Sequence, residues 1–271
     1  MPEKRTVKQD WYTDLLSNTT ERGLVSGHVS FSRLLNLQDD QFCAIRFIHK
    51  EDTLIILLTI ETADLANFSA GLLANRQIQQ LKSRFGDTFH VLVYNDADEF
   101  LMASPIDWSF KQYDSGELTA YIGTIDPTLL EATGAYKAIN RSQNDSFQAW
   151  TRAKLTGKCV VNDMDALLMG KEKTCLMELK RVSSELRRWN PYINDIPNYR
   201  SFLYIAKRFE FSSRVIAYNL DQEQLVALHF NLTFPNDNSR VNGRFVLIEP
   251  SSTIFSGFGF VYSSNNSTSS Y

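Results

Sequence analysis

Apolar residues fall along the chain in two kinds of pattern, and the two alternate. Short runs rich in Leu, Ile and Val, bounded by charged turns, occupy residues 42–48, 53–60, 165–169 and 174–179 and predict paired strands. Polar stretches with apolar residues at helical spacing occupy 8–21, 69–85, 144–155 and 199–209. In the second of these Leu72, Leu73, Ile78 and Leu81 suit one helix face, and in the last Phe202, Leu203, Ile205 and Ala206 are apolar. Strands at 91–94 and 215–218 then lead into hairpins through the turns YNDAD and YNLDQ. The predicted order is α-β-β-α-β-β-β, stated twice. It is an α/β reading, with a mixed sheet and helices (α+β in the wider sense) in each half.

The second half repeats the first in detail. HKEDTLIILLTIE from His49 answers GKEKTCLMELKRV from Gly170, and VLVYNDADEFLMASPIDWSF from Val91 answers VIAYNLDQEQLVALHFNLTF from Val215. A third block, LTAYIGTIDP ending at Pro127, answers GRFVLIEP ending at Pro250, which makes it the closing strand of its unit. Lys50 to Lys171, Tyr94 to Tyr218 and Pro127 to Pro250 are displaced by 121, 124 and 123 residues, a nearly constant offset. The expected organisation is a unit over 1–127, a linker over 128–143, a second unit over 144–262, and a tail over 263–271 with nothing to bury and therefore disordered.

Composition narrows the class without naming a function. With 271 residues, 43% hydrophobic and 22% charged, the chain can bury a real core. A net charge of −3 and a pI near 5.9 exclude a bulk polycation, so any nucleic-acid contact needs a locally basic surface. Cys43, Cys159 and Cys175 show no CxxC pairing and no histidines at zinc spacing. Cys43 and Cys175 read as buried thiols of a reducing compartment. The amino-terminal MPEKRTVKQDWYTDLL holds no signal-peptide core, and the longest apolar run, Leu54 to Leu58, is too short for a membrane span. A cytoplasmic protein away from membranes is expected. There is no Gly-rich phosphate loop and no nucleophile elbow.

The chemistry concentrates in VVNDMDALLMGKEKTCLMELKR. Side chains alternate along a strand, so Glu178 and Lys180 share a face while Leu179 points away, and the GKEK turn folds Asp165 back beside Glu178. Two carboxylates brought that close call for a cation between them. Mg2+ suits a pair of carboxylate oxygens, and a neighbouring lysine can orient a metal-bound water for attack on a phosphate.

This stretch resembles the core of the PD-(D/E)xK phosphodiesterase superfamily, which includes restriction endonucleases, Holliday junction resolvases and repair nucleases. The family core runs helix, strand meander with Asp and then Glu-x-Lys, helix, strand, in the order of residues 144–218 here. The separation of 13 residues between Asp165 and Glu178 suits its hairpin. The resemblance implies Asp165 and Glu178 as Mg2+ ligands and Lys180 as the residue that positions the attacking water. Asp163, as Asn162-Asp163, is either the equivalent of the family's aspartate or an additional acidic neighbour. Asp165 is favoured because the apolar run ALLM begins directly after it. The resemblance thus implies two tandem restriction-endonuclease-like units. Without it, the same residues read as a solvated hairpin with a basic edge.

Aligned on KEDT and KEKT, Glu178 falls opposite Leu57, Lys180 opposite Thr59 and Asp165 opposite Ala44, so the first unit reads as degenerate. Downstream of the site, Arg181, Arg187, Arg188, Arg200, Lys207 and Arg208 interleave with Trp189, Tyr192, Tyr199 and Tyr204, a composition suited to phosphate backbone. Tyr199 and Arg200 open the helix after Pro197 and are the candidates nearest the scissile phosphate. The expected activity is Mg2+-dependent hydrolysis of DNA, foremost as a type II restriction endonuclease. A repair, resolvase or phage-defence nuclease is the alternative, with RNA open as substrate and a homodimer open as assembly. A non-catalytic interaction protein on the same scaffold is the remaining class.

Overall fold

In the computed structural model, residues 24–26, 42–66, 68, 70–132, 146–164, 166–169, 174–181, 196–219, 224–229 and 244–248 are described. In chain order the strands are β1 (Leu24–Ser26), β2 (Phe42–Lys50), β3 (Thr53–Glu61), β4 (Phe89–Tyr94), β5 (Phe100–Ala103), β6 (Lys111–Tyr113), β7 (Val160–Met164), β8 (Ala166–Met169), β9 (Thr174–Arg181), β10 (Ser212–Asn219), β11 (Gln224–His229) and β12 (Arg244–Ile248). The helices are α1 (Arg76–Phe85), α2 (Ser115–Ile125), α3 (Ser146–Lys154) and α4 (Ile196–Arg208). The strands form two mixed six-stranded sheets, ordered β6-β5-β4-β3-β2-β7 and β1-β8-β9-β10-β11-β12.

The first sheet grows around β3, TLIILLTIE, in which every residue between its two ends is buried. β2 and β3 pair antiparallel across a two-residue turn, Lys50 against Thr53, with Glu51 at φ 49°. β4 then pairs parallel with β3, Leu57 against His90. A parallel neighbour cannot be reached by a tight turn, so the chain crosses over through α1. Asn75 starts that helix by accepting from the Gln77 amide at 2.9 Å, and Ile78, Leu81 and Phe85 are its buried stripe. Gly86, at φ 59°, ends it. The Asn95 side chain accepts from the Ala97 and Glu99 amides, at 2.9 and 3.2 Å, and shapes the turn from β4 into β5.

Two expectations are corrected in this half. Residues 118–125, matched in sequence to a closing strand, lie in the helix α2. Asp114 and Glu117 cap its start reciprocally, at 2.8 and 2.9 Å, and Leu118 and Ile122 bury at helical spacing. The short β6 is the last strand of the meander instead, paired with β5. The second correction concerns boundaries. Residues 128–130, read as linker, form a short 3-10 turn with Leu129 in the core. Residues 146–155, read as the start of the second unit, put Phe147, Trp150 and Leu155 into the cluster that holds Leu57, Leu92 and Phe100. Trp150 Nε1 also donates to Ser115 O at 3.2 Å and Thr119 Oγ1 at 3.1 Å. Three such side chains contribute on the order of 6 kcal/mol of burial, enough to decide where α3 belongs. The chain accordingly divides into 31–163 and a discontinuous unit of 1–30 with 164–271.

In that second unit β8 and β9 pair antiparallel, Met169 against Thr174. β10 pairs parallel with β9 after the crossover through α4, and β11 and β12 follow antiparallel. α4 buries Tyr199, Phe202, Ile205 and Ala206. It closes with Glu210 at φ 56° and the Phe211 amide donating back to Ala206 O at 2.8 Å, a left-handed C-terminal cap. The edge strand β1 pairs antiparallel with β8. Cys43 and Cys175 are buried. The expected helix at 8–21, most of the linker and the tail lie outside the described residues. Among the described residues no helix is long and apolar enough to cross a membrane.

His90 is a buried titratable group of the first sheet. Its Nδ1 lies 3.2 Å from Thr88 O, a pure acceptor, so Nδ1 carries the proton and Nε2 accepts from the Tyr121 hydroxyl, also at 3.2 Å. Burial holds its pKa down at about 4, against 6.5 in the free side chain. The unfolded imidazole therefore takes up a proton in a window where the folded one stays neutral. Stability present at neutral pH is lost as pH falls from 6.5 towards 4, by about 3 kcal/mol in total. We expect urea midpoints measured across that window to fall with acid, and His90→Gln to remove about one proton from the slope. An unchanged slope would contradict the assignment.

Candidate active site

β9 begins as an ordinary core strand, with Thr174, Cys175 and Leu176 buried. It then changes character. Glu178 is half-buried, and Lys180 holds the position two residues further on, which in a strand belongs to the same face. β9 is hydrogen-bonded on both edges. Met177 pairs with Ala166 of β8, Glu178 with Val215 of β10, and Lys180 with Ala217. A carboxylate so placed keeps its charge only if polar or cationic groups meet it.

The other expected residues are placed as follows. Asp165, Arg187 and Arg188 lie outside the described residues. Arg181 ends β9 and Arg200 lies in the first half of α4. Asp163 belongs to β7 of the first sheet, where its Oδ1 lies 3.1 Å from Arg46 Nε. That carboxylate is engaged with an arginine, as neither alternative reading of Asp163 anticipates. Tyr199 is 1% exposed and serves the core beneath α4, so the expectation of a phosphate contact there is corrected: its apolar ring completes the helix stripe. Lys207 and Arg208 are exposed in the last turn of α4, and Arg208 Nη1 donates to the Tyr204 hydroxyl at 2.9 Å. Cations there also complement the helix dipole. Among the described residues no group of three or more His, Cys, Asp or Glu side chains could hold a metal ion. The expected ligand pair has one member, Glu178, within them.

The equivalent positions of the first sheet are apolar or closed. Counting from Thr53 and Thr174, Glu178 corresponds to Leu57 and Lys180 to Thr59, each 1% exposed, and Thr59 Oγ1 donates to Ala44 O at 3.1 Å. The ladder registers shift the correspondence between β2 and β8. Ile56 pairs with Phe47, whereas Met177 pairs with Ala166, because the first turn has two residues and the second has four. Ala166 therefore answers Phe47, not the Ile45 that a constant offset gives. Arg46 was missed in the sequence, where the only signal is a lone charge inside FCAIRFIHK.

No protein-family model, no curated protein and no solved structure matches the chain. The burial contrast on α4 gives a direct check. We expect Tyr199→Ala to cost about 3 kcal/mol or more in denaturant unfolding, and Lys207→Ala to change stability by less than about 0.5 kcal/mol. Equal costs would contradict the assignment of Tyr199 to the core.

Proposed function

We propose that the chain is a Mg2+-dependent phosphodiesterase acting on DNA, foremost an endonuclease of the restriction type, with its single site on β9. The observation that carries this reading is the placement of Glu178 and Lys180. They occupy same-face positions on a strand flanked by its hairpin partner β8 and by the parallel strand β10, which is reached through α4. That strand, strand, helix, strand order is the one the PD-(D/E)xK resemblance implies around its Glu-x-Lys. The register adds support. Ala166, the residue after Asp165 in the sequence, pairs with Met177, the residue before Glu178.

In this reading the carboxylates of Asp165 and Glu178 hold Mg2+, whose oxygen preference fits the pair. The bound ion supplies activation of a water and stabilisation of charge on the phosphate. Lys180 orients that water, and its ammonium stabilises negative charge building on the phosphate oxygens. Arg200, Lys207 and Arg208 on α4, with Arg181, Arg187 and Arg188, give the locally basic composition that a phosphate backbone requires in a chain of net charge −3.

The two sheets are proposed as tandem copies of one unit. In support, both run edge strand, hairpin, parallel strand and two antiparallel strands. The first has Leu57 and Thr59 at the positions of Glu178 and Lys180, so one cutting site per chain is expected.

Incubation with plasmid DNA and Mg2+ tests the reading. Wild type nicks or linearises the plasmid, chelation stops it, and Glu178→Ala and Lys180→Ala each lower the rate on the order of 100-fold or more. Cleavage at the wild-type rate in both variants would remove the site. Discrete fragments point to restriction, whereas cutting confined to branched or damaged DNA points to repair.

A further inference from the structure

The helix α1 differs in charge from the chain that contains it. The protein carries 28 Lys and Arg against 31 Asp and Glu, yet the stretch from Leu65 to Gly86 holds Arg76, Lys82 and Arg84 and no carboxylate. Ile78, Leu81 and Phe85 are buried, whereas Arg76, Gln79, Gln80 and Ser83 are exposed. Arg76, Gln80 and Ser83 recur at spacings of four and three, which lines them along one side of the helix over about 10 Å. Lys82 and Arg84 are half-buried, one on either flank of the apolar stripe. Helix stability accounts for only part of this charge. Lys82 and Arg84 lie in the last turn, where the helix dipole favours a cation. Arg76 is the first residue of the helix, beside the cap Asn75, where the dipole favours an anion and a cation is unfavourable. Lys82 is also held in place: its Nζ lies 3.9 Å from the centroid of the Trp108 ring, and Trp108 Nε1 donates to Leu73 O at 3.4 Å. An ammonium already fixed over an aromatic ring loses less freedom on taking an anionic partner.

We propose that the solvent side of α1 is a contact surface for the phosphate backbone of duplex DNA, with Arg76, Lys82 and Arg84 supplying charge and Gln80 and Ser83 supplying neutral donors. The inference rests on the reading of the chain as a protein that acts on DNA. It gives the unit that carries Leu57 and Thr59 a part in binding rather than in cutting. Charge complementarity selects the occupant, because phosphate oxygens accept from Arg, Lys, Ser and Gln alike. A straight column of donors suits the regular phosphate rail of a duplex. A single strand is held by stacking its bases on free aromatic faces, and the Trp108 ring beside α1 is already taken up by Lys82. Contacts of this kind read no sequence; they position the duplex and make its binding depend on salt.

The test is fluorescence anisotropy of a labelled mixed-sequence duplex, titrated with the full-length chain in EDTA at several salt concentrations, with the melting temperature of each variant measured in parallel. Arg76→Gln, Lys82→Gln and Arg84→Gln are each expected to reduce the slope of log K against log salt by about 0.9, and to weaken binding about 8-fold near 0.1 M salt. Gln80→Glu removes no packing and places a carboxylate on the same side, so it is expected to weaken binding more at low salt than at high salt. Lys111→Gln, at an exposed lysine paired with Asp107, is expected to keep the wild-type slope. Wild-type slopes in the three cation variants, with wild-type binding by Gln80→Glu, would overturn this surface alone, whatever the plasmid assay shows. Plasmid left uncut while the slopes respond as expected removes the metal site and supports this surface. A response confined to single-stranded RNA of the same sequence would overturn duplex DNA as the partner.

Discussion

A strand hydrogen-bonded along both edges has only its two faces left for side chains, and each polar group on them must be met from another element. β3 and β9 both occupy that position, between a hairpin partner and a parallel strand. β3 meets the constraint with apolar residues, and with Thr59, whose hydroxyl donates to the Ala44 carbonyl. β9 meets it in the same way as far as Leu176 and then departs from it at Glu178 and Lys180. The parallel pairing that encloses these strands forces the crossovers α1 and α4, and the helices in turn require the buried stripes that pack against the sheets. The architecture and the candidate chemistry are thus consequences of one arrangement, differing in what the central strand carries.

Arg46 shows the same constraint one strand away. It is a charge in an otherwise apolar stretch of β2, paired with Leu57 of β3. Asp163 and the face of Phe147 meet the guanidinium, and both come from the arm that completes the first sheet. That arm, α3 with β7, precedes β8 in the chain, while β1, at the edge of the second sheet, precedes β2. Among the described elements, each of these edge strands therefore comes before the hairpin of the other sheet. The division into 31–163 and a discontinuous remainder follows from this order.

Much of the strand and helix content was legible because its signals are local. The charged turn before Thr53, the apolar run of β3 and the spacing of Ile78, Leu81 and Phe85 each act within a few residues. The same holds for Glu178 and Lys180, whose shared face follows from strand periodicity alone. The errors arose where the deciding interaction is distant or reciprocal. Leu118 to Ile125 carries enough Ile, Tyr and Thr to pass for a strand, and only the Asp114–Glu117 capping box marks it as helix. Phe147 and Trp150 give no sign in sequence of which sheet they cover. Arg46 and Asp163 are far apart in the chain, and no periodicity connects them. Alignment by a constant offset also puts Ile45 opposite Ala166, where the ladders put Phe47, because a turn longer by two residues shifts one strand and leaves the other in place.

The proposed function has one cation site, on β9, whereas the first sheet carries buried Leu57 and Thr59 at the positions of Glu178 and Lys180. Anomalous diffraction from crystals grown with Mn2+ tests this most directly. The account predicts one anomalous peak per chain, within about 2.2 Å of a Glu178 carboxylate oxygen, and none beside Leu57. A map with no peak at Glu178, or with a peak in the first sheet, would contradict it.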